Sequence, residues 1–204
     1  MKRKTLHRYA GLYISLFIFL HLINHLAVLW GPQVHITLME KLRPIYRHSV
    51  AEGILLLTIV FQVQSGILLF WKTRRQKLPF WYQVQRGSGA YLAIFLMNHL
   101  LAVVVARYVL QLDTNLYFGA TGLNSFPYAL FFIPYYSLAI LSFFAHIAAI
   151  HARNMRITLL GLSPVGQAYL IMALGAICTL LTLYGLTDGF QGLVIPQSYQ
   201  LPSL

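Results

Sequence analysis

Two histidines hold matched places in two apolar runs. The first run reads Arg8, Gly11, then His21; the second reads Arg86, Gly89, then His99. The Arg-to-Gly spacing is three in both, and the Gly-to-His spacing is ten in both. If the two runs are helices crossing a membrane in the same direction, they hold two imidazoles at one depth. Neutral imidazole is a good iron ligand. Two facing imidazoles supply what a six-coordinate haem needs from a protein. His25 lies one turn after His21 and is an alternative ligand or a contact for a haem propionate. His146 is a further candidate ligand, further along the chain.

The elements that must carry these residues follow from composition. The chain has 204 residues, of which 58% are hydrophobic and 9% charged. Soluble domains carry about 25% charged residues. Apolar runs of ~20 residues suit helices that cross a bilayer, where the backbone must satisfy itself. Five such runs predict an all-α, integral membrane bundle in one domain spanning 1–204. The helices are expected at about 9–30, 48–71, 88–110, 127–151 and 164–186. Gly31-Pro32 is expected to close the first, and Pro164 suits the opening turn of the last. The stretch 33–47 reads as a mixed polar loop carrying His35, and His7 also reads as a loop residue. The N-terminal run resembles a signal peptide, but it is long and aromatic with no small-residue cleavage site. It therefore reads as a retained helix.

The net charge is +11. In a soluble domain that would suggest nucleic acid, but here the cations sit at helix ends. Eleven Lys and Arg fall on the N-terminal side of the bundle. Four, namely Lys41, Arg43, Arg47 and Arg107, fall on the other. The bias predicts the N-terminus inside and the C-terminus outside. The single cysteine, Cys178, excludes an internal disulfide and a Cys-ligated iron–sulfur cluster, and no covalent-haem motif is present.

Further residues resemble a known family. They are Leu6-His7, Gly11 and Phe19-Leu20-His21, followed by Gln85-Arg86, Gly89 and His99. Phe144-Ala145-His146 with Arg153, and Leu162-Ser163-Pro164 with Gln167, complete the set. In their order and spacing they resemble the single-chain, five-helix cytochrome b anchor of succinate dehydrogenase and quinol:fumarate reductase. The resemblance covers most of the chain. It implies a subunit that is not catalytic alone, in an energy-transducing membrane of bacterial or mitochondrial type. It implies an iron–sulfur subunit and a flavoprotein subunit on the inner face, lipid around the helices, and no nucleic acid. Electrons would pass between that iron–sulfur subunit and membrane quinone.

The family often holds two haems b. His21 and His99 match the outer pair. The inner pair would be His146 and a residue at Gln62, and glutamine is not a usual haem ligand. One haem b is therefore expected, with none or two left open. Quinone is then expected near the inner face, around Arg8, Ser88, Arg86 and Gln62. The alternative is an outer quinone site at His35, Glu40, His48 and Glu52, where a carboxylate could take a proton. Competing classes are a b-type anchor of another membrane oxidoreductase and a haem-free structural anchor. A transporter is disfavoured, because the repeat is parallel, covers two helices and brings no paired broken helices.

Overall fold

A computed structural model describes residues 2–201. Those residues form seven α-helices: α1 Lys2–Leu26, α2 Pro32–Tyr46, α3 Ser49–Thr73, α4 Phe80–Tyr108, α5 Leu116–Ala120, α6 Ala129–Asn154 and α7 Pro164–Leu186. Five of these (α1, α3, α4, α6 and α7) are long and apolar enough to cross a membrane. Successive long helices run antiparallel, so α1, α4 and α7 share one direction. The side where α1 begins is called the N-terminal face below.

Several boundaries differ from the sequence reading. α1 starts at Lys2 and α4 at Phe80, so both begin well before the apolar runs do. Pro79 precedes α4 and cannot extend a helix backwards. The 29 residues of α4 span about 43 Å at 1.5 Å per residue, against a hydrocarbon core of about 30 Å. His7 is thus a helix residue, and the loop assignment for it is corrected.

Of the stretch 33–47, residues 33–46 are likewise helix rather than loop. Gly31 turns the chain with a φ of 110°, and Pro32 opens α2, where its missing N–H is no loss. His35, Ile36, Met39 and Tyr46 recur at helical spacing, and His35 and Met39 are buried. One inward stripe is enough to hold this helix against α1. The mixed polarity of the other face hid it. α7 has the expected limits. Ser163 accepts a hydrogen bond from the Gly166 N–H at 3.2 Å, and Pro164 follows it.

The core is thin because much apolar surface points outward; Leu12, Leu57 and Leu180 are all at least 60% exposed. Ile14 meets Leu55, Ile59 and Val63 between α1 and α3. Leu22 meets Ile140 and Phe143 of α6. α6 and α7 approach closely through small residues: Ala148, Ala149 and Ala168 are fully buried. Gly175 lies so near Phe144 that a side chain there would collide with the ring. Close small-residue contact is how apolar helices gain packing energy where lipid is as apolar as leucine. On the far face α5 and residues 187–201 form a cap. Thr121 donates to the Tyr199 carbonyl at 2.7 Å, and Asn124 Oδ1 accepts from Leu193 at 2.7 Å.

Candidate haem and quinone sites

Among the described residues, two histidine clusters lie inside the bundle beside the His151–Gln167 pair, one toward each face. The cluster away from the N-terminal face contains His21, His25, His99 and His35. The rings of His21 on α1 and His99 on α4 stand 6.2 Å apart, centre to centre. His25 Nε2 is 3.1 Å from His21 Nε2, so one of the two carries the shared hydrogen. Phe17 stacks on His21 at 5.9 Å, and Phe95 stacks on His99 at 5.4 Å, each at 12° between planes. Both phenylalanines sit four residues before their histidine. The repeat is therefore Arg, Gly, Phe and His, a deeper match than Arg, Gly and His.

His35 of α2 closes this cluster. Its ring lies 5.4 Å from that of His25, and Asn24 Nδ2 is 3.2 Å from its Nε2. An amide NH₂ can only donate, so His35 Nε2 accepts and Nδ1 carries the hydrogen. The loop assignment for His35 is thus corrected, and Asn24 is a same-cluster partner rather than a bystander. Burial pushes the His35 imidazole down to about 4 from its ordinary 6.5. The folded chain keeps this ring neutral, whereas the unfolded chain takes up a proton below about pH 6.5. Its stabilising contribution is complete above that pH and is lost as the pH falls toward 4. The titratable groups facing it are His25 and, behind it, His21. Thermal unfolding followed from about pH 7.5 to about pH 4 should show an acid-side loss that His35→Gln reduces. An identical acid limb in that variant would place the loss elsewhere.

The second cluster lies toward the N-terminal face. His7 Nδ1 is 2.6 Å from Ser65 Oγ, and Gln62 Nε2 is 3.3 Å from His7 Nε2. Ser65 donates its own hydrogen to the Gln62 carbonyl at 3.1 Å. Ser65 Oγ therefore accepts from His7 Nδ1–H, and His7 Nε2 accepts from the Gln62 amide. Across the cluster, His146 Nδ1 donates to the Gln85 carbonyl at 3.1 Å and lies 3.2 Å from Ser88 Oγ. That leaves His146 Nε2 with a free lone pair. Arg153 donates to the Gln85 side chain and lies over the Tyr82 ring at 3.4 Å. Two glycines make room. A Cβ on Gly11 would meet Gln62 Nε2 at 3.1 Å, and one on Gly89 would meet His146 Cε1 at 3.0 Å. The Gln62 Oε1 atom is buried without a partner.

The other sequence candidates are dispersed. Arg86 donates to the carbonyls of Thr73 at 2.6 Å and Gln76 at 3.3 Å, closing the end of α3. Arg8 is exposed. Of the four residues grouped around a quinone, Gln62 and Ser88 share the N-terminal-side cluster, and the two arginines face elsewhere. In the alternative group, His35 is buried against Asn24, while Glu40 and His48 are exposed. The Glu52 carboxylate is engaged by Arg107 at 2.5 Å. The structure does not gather these four into one site.

No protein-family model, curated protein or solved structure matches this chain.

Proposed function

We propose that this chain is the membrane anchor and quinone-reactive cytochrome b subunit of a succinate dehydrogenase or quinol:fumarate reductase complex. The observation that carries the reading is the His21–His99 pair on two parallel, membrane-length helices, with rings 6.2 Å apart. A metal–imidazole bond is about 2 Å long, so one iron between two facing rings sets their centres roughly 6 Å apart. The residues therefore fit a haem held by His21 and His99. Bound there, the haem supplies a one-electron carrier within the membrane. Phe17 and Phe95 fix the planes of the two imidazoles, and His25 must release His21 Nε2 for that nitrogen to bind iron.

A second haem finds less support. Gln62 stands where a ligand would be needed, and its amide is occupied by His7. The N-terminal-side cluster suits a quinone better. Quinol hydroxyls need acceptors, and the unpartnered Gln62 Oε1 and the free Nε2 of His146 are both acceptors. Ser88 and His7 border them. The cation bias toward the N-terminal face supports an inside N-terminus. It also supports docking there of the iron–sulfur and flavoprotein subunits, with Arg8 and the basic residues of 72–77 available to them. An energy-transducing membrane, bacterial or mitochondrial, is the setting this function requires.

A haem-free anchor is the second reading, favoured by the His21–His25 contact at 3.1 Å, which occupies the ligand nitrogen. One spectrum separates the two. The purified chain, reduced minus oxidised, should show about one low-spin haem b per copy. No haem would leave a quinone-binding anchor whose histidines serve packing.

A further inference from the structure

Three buried polar atoms without a hydrogen-bond partner gather where α1 meets α2: Asn24 Oδ1, His25 Nδ1 and His35 Nδ1. Their side chains are neighbours, through the Asn24–His35 contact at 3.2 Å and the His25–His35 rings at 5.4 Å. Asn24 is 6% exposed and His35 only 2%. Buried donors and acceptors are nearly always paired, so three orphans in one touching group are where a polar guest would find partners. With its Nε2 taken by Asn24, His35 offers an N–H at Nδ1.

The surroundings select an anion. Further along the chain from His35, Arg43 of α2 and Arg47 just after its end both face one carboxylate, Asp113, at 2.6 and 4.0 Å. With Glu40 offset by Lys41, two guanidinium groups sharing one carboxylate leave this segment with a positive excess. An imidazole N–H on such a helix suits a carboxylate oxygen. The cluster begins one helical turn beyond His21, on the side away from the N-terminal face.

We propose that His35, oriented by the Asn24 amide on its Nε2, donates its Nδ1–H to a propionate carboxylate of the haem held between His21 and His99, with Asn24 Oδ1, an acceptor, turned from it. This rests on the haem reading above. α2 is then a clamp on the haem edge, and His35 is a positioning residue that never touches iron. Its hydrogen bond draws negative charge away from the macrocycle and favours the ferrous form.

The test uses the full-length chain in detergent, reconstituted with haem b or with its dimethyl ester, which cannot present a carboxylate. Wild type should bind haem about tenfold more tightly than the ester, and His35→Leu should lose that preference. The same variant should keep the low-spin spectrum while its midpoint potential falls by about 59 mV, a tenfold change for one electron. His35→Gln, which retains an N–H donor, should restore most of both. Equal binding of haem and ester by wild type overturns the proposal without recourse to any variant. So does a His35→Leu protein with unchanged potential and preference, while one haem per chain still stands. A wild-type chain that takes up no haem overturns the haem reading itself, and this proposal with it.

Discussion

Replacing His99 by alanine should abolish the low-spin b-type absorbance of the purified chain. His99 and His21 are the only imidazoles from two different parallel spanning helices that stand 6.2 Å apart among the described residues. On the proposed reading, removing one would take away an iron ligand that no neighbour replaces. His25 lies on α1 beside His21, on the same side of the pair, so it cannot take the place of His99. The fold should survive the change. α4 is held to α3 by the Arg107–Glu52 pair at 2.5 Å and by Arg86 on the Thr73 carbonyl. It is held to α6 by Tyr91, which donates to the Tyr135 carbonyl at 2.9 Å. None of these contacts involves His99. The measurement is the reduced-minus-oxidised spectrum of His99→Ala with haem quantified per chain. His25→Ala is the companion variant. It should keep the low-spin signal, because it frees His21 Nε2 rather than removing a ligand. A full bis-histidine spectrum in His99→Ala would sink the pairing. Loss of the signal in His25→Ala but not in a His21 variant would transfer the α1 ligand to His25.

The five spanning helices are legible in the sequence because lipid imposes a strong and simple constraint: some twenty apolar residues, with few charges. That constraint says little about where a helix projects into water. α1 and α4 extend beyond their apolar runs toward the N-terminal face, and His7, Tyr82 and Gln85 ride on those extensions. α2 was hidden for the same reason. It lies against the bundle with one buried stripe and a polar back, so hydropathy alone reads it as loop. A finer signal marks the extensions of α1 and α4. His7, Ile14 and His21 fall at intervals of seven, as do Gln85, Leu92, His99 and Ala106. Seven residues are close to two helical turns, so each set lies on one face. Following those faces backward from the histidines leads to both ends of the N-terminal-side cluster. The pairing of His35 with Asn24 had no such signal. It depends on how α2 folds back on α1 after Gly31, which is a tertiary event.

Placing leucine at Gly89 should reduce quinone turnover of the assembled complex by about a hundredfold while leaving the haem in place. Even the first atom of a new side chain there would stand 3.0 Å from His146 Cε1 and 3.2 Å from Nδ1, and leucine adds three more carbons. Leucine's further carbons enlarge that overlap, so the imidazole is expected to shift off its bonds to the Gln85 carbonyl and Ser88. A displacement of about 1 Å in a reacting or orienting group is enough for a loss of about a hundredfold. The haem should not feel the change. His99 is ten residues further along α4, about 15 Å away at the helical rise. Gly87→Leu is the matched control, since nothing lies within 4 Å of a Cβ built on Gly87. It adds the same bulk to the same helix, two residues away on an exposed side. Steady-state quinone reduction and haem content, measured together, separate three outcomes. Lost turnover with retained haem in Gly89→Leu alone assigns the quinone chemistry to the His146 cluster. Retained turnover moves the quinone away from that cluster. Loss in both variants would mean that α4 itself cannot accept the added bulk near its start.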